Sequence, residues 1–203
     1  MALLLAIETT TRNCSVALFR DNNLLQIIEQ LTDKYLHAEQ LNIFIESILI
    51  KSNNSLKELD AIVLSKGPGS YTGLRIGLSF AKGIAFSLNK PIIPINTIES
   101  LSCEINDLNY ILAIHAYSDY YFIQEYRDAI KFGDPFFDKI KNINYSHNIY
   151  GYNLKDCESS INIIPSSIKI ANIAYKNYDK YKCDNIKLIK PNYIKPIQFK
   201  NKF

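Results

Sequence analysis

The stretch that decides the fold lies between residues 67 and 77 and reads Gly67-Pro68-Gly69-Ser70-Tyr71-Thr72-Gly73-Leu74-Arg75-Ile76-Gly77. Glycine is scarce in this chain, with seven in 203 residues, yet five of the seven fall between Gly67 and Gly83. An apolar run, 61–65, precedes the stretch, and a longer run, 74–88, follows it up to Asn89-Lys90-Pro91. This order predicts a strand, a glycine-rich turn and a helix.

A glycine-rich turn between a strand and a helix is a common place for phosphate binding, because backbone N–H groups can approach an anion there. The spacing in this chain argues against both common fingerprints. The Walker A loop and the dinucleotide-binding loop each have a glycine at the position that Thr72 occupies here. Phosphate binding stays an alternative for this loop.

The predicted helix also has one face almost without side chains. Gly73, Gly77, Ala81 and Ala85 recur every four residues, so they lie on one side of the helix. Such a stripe lets another element come unusually close, and that element belongs either to the same lobe or to a partner protein. The pattern favours a partner, since the preceding helix also has a wide apolar face and two adjacent helices can present one exposed patch.

The order of the predicted elements indicates an α/β fold with two lobes. We assign a first lobe to 1–106 and a shorter second lobe to 107–203. The predicted elements are strands 2–7, 14–19 and 24–30, helices 37–51 and 74–88, and a C-terminal helix over about 166–178. In the second lobe, Phe132-Gly133-Asp134-Pro135 predicts a turn. This order fits one lobe of the actin-like, sugar-kinase-like architecture and also a plain doubly wound α/β layer.

The composition is that of an ordinary soluble globular protein. Apolar residues make up 47% of the chain and charged residues 21%, which excludes wholesale disorder. The net charge of +3 is too small to indicate a nucleic-acid binder, and no apolar run is long enough to span a membrane. The four cysteines form no CxxC pair, and no histidine stands at metal-ligand spacing from them, which is typical of reduced thiols in a cytoplasmic protein.

Several stretches together resemble one family. The glycine stretch, followed by Ala81-Lys82-Gly83 and Pro91, closely resembles the signature of the TsaB (YeaZ) family. Three further stretches resemble the family's first strand, the start of its first helix and its closing element, in which Lys195 replaces an arginine: Ala6-Ile7-Glu8-Thr9-Thr10, His37-Ala38-Glu39-Gln40-Leu41 and Pro191-Asn192-Tyr193-Ile194-Lys195-Pro196. The likeness is specific up to about Leu101 and weak between Tyr110 and Ser160.

The resemblance implies an actin/Hsp70/sugar-kinase-like (ASKHA) fold with a reduced second lobe. It implies a non-catalytic subunit that forms a heterodimer with the homologous catalytic subunit TsaD. With the ATPase TsaE, this pair makes N6-threonylcarbamoyladenosine (t6A) in ANN-decoding tRNAs, so tRNA is an indirect partner. It also implies homodimers when the partner is missing. ATP, Mg²⁺ and a metal are expected in the partner subunits, and no cofactor is expected on this subunit alone.

The resemblance also implies where the partner binds. In the family, the helices corresponding to 37–51 and 71–88 form the contact between subunits. On this chain the expected interface residues are His37, Leu41, Phe44, Ile48, Tyr71, Gly73, Gly77, Ala81 and Ala85.

Two observations argue against catalysis by the chain itself, and the role of Glu8 is open. The catalytic relatives bind a metal through a His-x-x-x-His pair on the first helix, whereas Leu41 follows His37 here. An actin-like ATP site needs a second glycine-rich loop, but the second half holds only Gly133 and Gly151. Glu8 is either an echo of a nucleotide-site acid or an acid that caps its own turn. A small-molecule kinase or ATPase of the same fold remains the alternative function.

Overall fold

The computed structural model describes residues 2–33, 36–143, 147–155 and 160–194, which form two five-stranded sheets. The first part of the chain contains β1 (Leu3–Glu8), β2 (Asn13–Arg20), β3 (Asn23–Leu31), α1 (His37–Lys51), β4 (Ala61–Ser65), α2 (Tyr71–Leu88), β5 (Ile92–Ile95) and α3 (Thr97–Ser102). The remainder contains β6 (Tyr110–Tyr117), β7 (Tyr120–Arg127), β8 (Ile130–Lys139), β9 (Ile149–Tyr152), β10 (Ser160–Asn162), α4 (Ser167–Lys176) and α5 (Tyr178–Tyr181). None of the helices in the described ranges is both long enough and apolar enough to cross a membrane.

Helix α2 begins three residues earlier than the apolar pattern predicts. The Ser70 side chain accepts a hydrogen bond from the backbone N–H of Gly73, so Ser70 caps the helix and Tyr71 is its first residue. At the other end, Asn89 adopts a left-handed conformation, which ends the helix before Pro91.

The first sheet has the strand order β3-β2-β1-β4-β5. Strands β1, β2 and β3 form an antiparallel meander, whereas β1, β4 and β5 are parallel. Strands β1 and β4 are buried throughout, because α1 and α2 cover one face of the sheet and α4 covers the other.

The C-terminal helix lies on the first sheet, so its predicted place in the second lobe is wrong. Ile170 and Ala174 of α4 share a buried cluster with Leu4 and Ala6 of β1. Conversely, α3 belongs to the first part of the chain, but its Ile98 lies in a buried cluster on the second sheet. The two helices therefore exchange lobes, which the apolar pattern of either helix alone does not reveal.

The second sheet, β10-β9-β6-β7-β8, repeats the topology of the first. Strands β6, β7 and β8, the first three along the chain, form an antiparallel meander, and β6, β9 and β10 are parallel. Where the first lobe has α1 and α2, the described residues of the second lobe have only a single 3₁₀ turn at Ile140–Asn142. The reduction of this lobe therefore lies in its helices, since the number of strands is the same.

The predicted turn at 132–135 is wrong, because these residues lie within strand β8. The pairing of β7 with β8 shifts register between Ile123 and Glu125. There the side-chain amide of Gln124 donates hydrogen bonds to the carbonyl oxygens of Phe132 and Gly133, at 3.1 and 3.2 Å. Gly133 has a φ of +66°. A bulge in an edge strand thus accommodates the glycine and the proline that otherwise signal a turn.

Candidate functional site around the glycine turn

The glycine turn lies against the turn between β1 and β2. The backbone N–H of Ser70 donates a hydrogen bond of 2.6 Å to the carbonyl oxygen of Thr10. A Cβ atom at Gly69 would overlap this same carbonyl oxygen, and one at Gly73 would overlap the carbonyl oxygen of Thr9. The two turns are in contact through their backbones, which only glycine permits at these positions.

The small-residue stripe of α2 continues this contact. Gly73, Gly77, Ala81 and Ala85 are all buried within the chain. The Thr9 hydroxyl donates a hydrogen bond of 2.8 Å to the carbonyl oxygen of Gly73, and a Cβ atom at Gly77 would overlap that hydroxyl. The prediction that a partner protein packs on this stripe is wrong, because the chain's own first sheet and β1–β2 turn occupy it.

The interface residues predicted on α1 are also mainly internal. Leu41 and Ile48 are fully buried in the core of the first lobe. The His37 Nε2 atom lies 2.7 Å from the carbonyl oxygen of Thr11 in a buried hydrogen bond. Burial lowers the pKa of His37, and the contact with Thr11 opposes this shift. These three side chains hold the lobe together and are closed to a partner.

Phe44 and Tyr71 are the two predicted interface residues that are partly exposed. Other apolar side chains on the same two helices are exposed, and the sequence pattern did not assign them to a contact. Ile43 and Ile50 project from α1, and Phe86 projects from α2 with 78% of its surface exposed. We call Ile43, Ile50, Gly83 and Phe86 the outer helix surface. The spacing of seven residues between Ile43 and Ile50, outside the buried arc of α1, was the available signal for it.

Gly83 is unlike the glycines of the stripe. It is exposed, and a Cβ atom at this position would have no atom within 4 Å. A glycine in the middle of a helix costs about 1 kcal/mol relative to alanine, and no contact within the described residues offsets this cost. Gly83 leaves the backbone of α2 open to close approach from outside.

Glu8 is a fully buried acid at the carboxyl end of β1. Its Oε1 atom accepts hydrogen bonds from the backbone N–H and the hydroxyl of Thr10, at 2.6 and 2.5 Å. Burial raises the pKa of Glu8 more strongly than the hydrogen bonds from Thr10 and Ser65 lower it. The structure thus assigns Glu8 the role of an acid that caps its own turn.

Two donors of the glycine turn are already used. The N–H of Ser70 is bound to Thr10, and the N–H of Gly73 is bound to the Ser70 hydroxyl. A phosphate bound by these two N–H groups would have to displace the β1–β2 turn and the Ser70 cap. The same turn receives the C-terminal segment, since the backbone N–H of Asn192 donates a hydrogen bond of 2.7 Å to the carbonyl oxygen of Lys66. Lys195 and Pro196 of the closing element lie outside the described residues.

The described residues offer no metal site, and one open groove has its charged groups paired internally. Within the four described ranges, no three His, Cys, Asp or Glu side chains are grouped so that they could hold a metal. A groove of about 680 Å³ lies between the end of β3 and the start of α4. Its charged groups have internal partners, because Glu29 accepts a hydrogen bond from Ser166 and Glu104 pairs with Lys169.

Comparison with known proteins agrees with the glycine signature. The family model described as TsaD, tRNA N6-adenosine threonylcarbamoyltransferase, matches residues 31–144, which is more than half of the chain. The tRNA threonylcarbamoyladenosine biosynthesis protein TsaB of Haemophilus influenzae is 34% identical over 140 residues, which cover 66% of this chain and 58% of that protein. The chain belongs to the TsaB (YeaZ) family. The Bacillus subtilis TsaB is 37% identical over 100 residues, which cover 49% of this chain and 43% of that protein.

The TsaB-family chain thus spans about half the length of the curated relatives that it matches. Among solved structures, YeaZ from Pseudomonas aeruginosa matches with a TM-score of 0.77 and 21% identity, over 95% of this chain and 100% of that one. This likeness concerns the fold. The predicted ASKHA class, α/β with two lobes, is confirmed.

Proposed function

We propose that this chain is a non-catalytic subunit of the machinery that makes N6-threonylcarbamoyladenosine (t6A) in ANN-decoding tRNAs in the cytoplasm. It acts by forming a heterodimer with a TsaD-type catalytic subunit, and its contact with tRNA is indirect. The names of its TsaB relatives support the pathway. The observation that carries the role is the outer helix surface, where Phe86 and Ile50 are 78% and 72% exposed.

Exposed apolar patches on a folded lobe mark sites of protein contact, because water does not solvate them favourably. The TsaD family model matches 31–144, which includes α1 and α2, so a TsaD-type partner has counterpart helices. Two such subunits can meet helix pair to helix pair with near two-fold symmetry. The same surface is available for a homodimer when the partner is missing.

The internal contacts of the glycine turn support a non-catalytic role. The β1–β2 turn fills the space in front of the N-terminus of α2, and Gly69 and Gly73 serve that contact. His37, which in the catalytic relatives would begin a metal-binding pair, holds Thr11 instead. We therefore assign ATP, Mg²⁺ and the metal to the TsaD-type and TsaE-type partners.

Co-expression with the TsaD-type protein of the same organism, followed by size-exclusion chromatography with light scattering, tests the proposal. The wild-type chain is expected to elute as a heterodimer. Phe86→Glu places a charge in the apolar contact and is expected to separate the subunits. Ile130→Glu is the matched control, because Ile130 is 70% exposed on β8, away from α1 and α2.

Three results would contradict the proposal. A wild-type chain that elutes alone in the presence of the partner rules out the heterodimer. Micromolar binding of ATP·Mg²⁺ by the isolated chain in calorimetry favours the small-molecule kinase or ATPase instead. Depletion of the chain in cells, followed by nucleoside analysis of tRNA, gives the functional readout, and an unchanged t6A content excludes the pathway.

A further inference from the structure

Arg75 of α2 contacts two tyrosines at the protein surface. Its guanidinium carbon is 4.0 Å from the centre of the Tyr71 ring, and its Nε atom donates a hydrogen bond of 3.3 Å to the Tyr193 hydroxyl. The two tyrosine rings are 5.5 Å apart. Arg75 is nevertheless exposed, so one side of the guanidinium is open to a partner. We call Tyr71, Arg75 and Tyr193 the arginine clamp.

Tyr193 reaches this place because the C-terminal segment is fixed on both sides of it. Ile189 is buried in the core of the first lobe, and Ile194 packs against a cluster of the second sheet. Asn192 is bound to the carbonyl oxygen of Lys66, and Gly67, with a φ of +102°, makes room for it, since a Cβ there would lie 3.1 Å from the Asn192 oxygen. The clamp is therefore assembled before any partner arrives.

Of the other three arginines of the chain, two lie within 4.0 Å of a carboxylate and one donates to an amide oxygen. Arg12 lies 3.8 Å from the Asp33 carboxylate, and Arg20 donates to the side-chain oxygen of Asn54. Arg127 gives the sharpest comparison. It also lies over an aromatic ring, that of Phe132, but it pairs with Glu125 at 2.8 Å.

Arg75 lacks such a carboxylate. In the described part of the chain, no Asp or Glu oxygen lies within 4.0 Å of its guanidinium, and its only hydrogen-bond partner is the Tyr193 phenol. The Tyr193 hydroxyl accepts the hydrogen bond of the Nε atom, so the two Nη groups of Arg75 are left to donate to a partner. Two parallel N–H donors in a plane match the two oxygens of a carboxylate.

We propose that the arginine clamp binds one carboxylate side chain of the TsaD-type subunit and anchors the heterodimer at the start of α2. This inference rests on the proposed function. Arg75, Ser79 and Phe86 recur at helical spacing, so the clamp lies on the same side of α2 as the outer helix surface. Arginine and tyrosine are the residue types that most often dominate binding energy at the centre of protein contacts.

The other exposed residues of α2 favour a protein carboxylate over a phosphate of tRNA. The exposed residues that accompany Arg75 on α2 are Thr72, Ser79, Gly83, Phe86 and Ser87, which are small or apolar. Lys82 is the nearest further cation on this side of the helix, seven residues away. Binding to nucleic acid relies on several clustered cations, whereas a protein contact needs a single well-placed one.

Calorimetric titration of the TsaD-type subunit with wild-type and variant chains tests the clamp. Arg75→Gln is expected to weaken binding by about 30-fold, the size of a strong contact residue. Arg75→Lys retains the charge without the fork and should recover only part of this loss. Tyr193→Phe removes the hydroxyl that orients Nε and should weaken binding by about three-fold. Arg127→Gln is the matched control and should bind as the wild type does.

The outcomes separate the two proposals. If the wild-type chain does not bind the TsaD-type subunit, the proposed function is wrong and the clamp has no partner. If the wild type binds and Arg75→Gln binds within two-fold of it, only the clamp is wrong. An equal loss in Lys82→Gln indicates diffuse attraction and overturns the clamp. A loss of tRNA binding, with unchanged binding to the protein partner, overturns it in favour of a phosphate.

Discussion

Replacing Gly73 by alanine tests whether the small-residue stripe is internal. In an open helix this change stabilises the fold by about 1 kcal/mol, because alanine has the higher helix propensity. At Gly73 the added methyl group overlaps the carbonyl oxygen of Thr9, which is backbone and cannot rotate away. The hydrogen bond of 2.8 Å from the Thr9 hydroxyl to the Gly73 carbonyl oxygen would be displaced as well.

The expected size follows from these opposing effects. Overpacking costs about 1–3 kcal/mol, and loss of a hydrogen bond costs about 1 kcal/mol more. Against a gain of about 1 kcal/mol from helix propensity, Gly73→Ala should lower the free energy of unfolding by about 2 kcal/mol. Gly77→Ala should cost less, because its methyl group meets the Thr9 hydroxyl, a side-chain atom that can move.

Gly83→Ala is the matched control on the same helix. Its Cβ would have no atom within 4 Å, so the propensity gain is unopposed and the variant should be stabilised by about 0.5–1 kcal/mol. Urea unfolding followed by circular dichroism measures all three free energies, with the slope against urea checked for constancy. Stabilisation by Gly73→Ala equal to that by Gly83→Ala would refute the internal packing of the stripe.

The remaining predictions concern pH and the two proposed contacts. The pKa of Glu8 is raised above its ordinary 4.5, so its contribution to stability is complete below that pH and is lost as the pH rises through the folded-state pKa. Glu8→Gln should therefore gain stability relative to the wild type as the pH rises above 4.5, and a free energy of unfolding that changes equally with pH in the two proteins would contradict this. The pKa of His37 is lowered below 6.5, so its contribution is present above that pH and is lost as the pH falls through the folded-state pKa. His37→Gln should flatten the acid side of the stability profile, and an unchanged profile would exclude His37 as its source. Phe86→Glu should dissociate the heterodimer in light scattering while Ile130→Glu does not. Arg75→Gln should weaken it in calorimetry while Arg127→Gln does not.

Local signals predicted the elements of the first lobe well. Helix α1 has the predicted bounds, and β1 to β3 each lie within one or two residues of theirs. These bounds depend on periodicity and on caps such as Ser70 and Asn89, which act over a few residues. The turn predicted at 132–135 failed because Gln124, on the neighbouring strand, supports a bulge there. Glycine and proline indicate irregular backbone, but a partner strand decides whether it becomes a turn or a bulge.

The sequence by itself determined the family, the fold class and the need for close approach along one side of α2. The tertiary structure alone decided what comes close. Thr9 and Gly73 are 64 residues apart, and no pattern within α2 specifies that the β1–β2 turn will occupy the stripe. The same holds for the arginine clamp, which brings Arg75 and Tyr193 together across 118 residues. A side chain's type and spacing state what kind of neighbour it tolerates, whereas the identity of that neighbour depends on how the sheets and the chain's distant segments pack together.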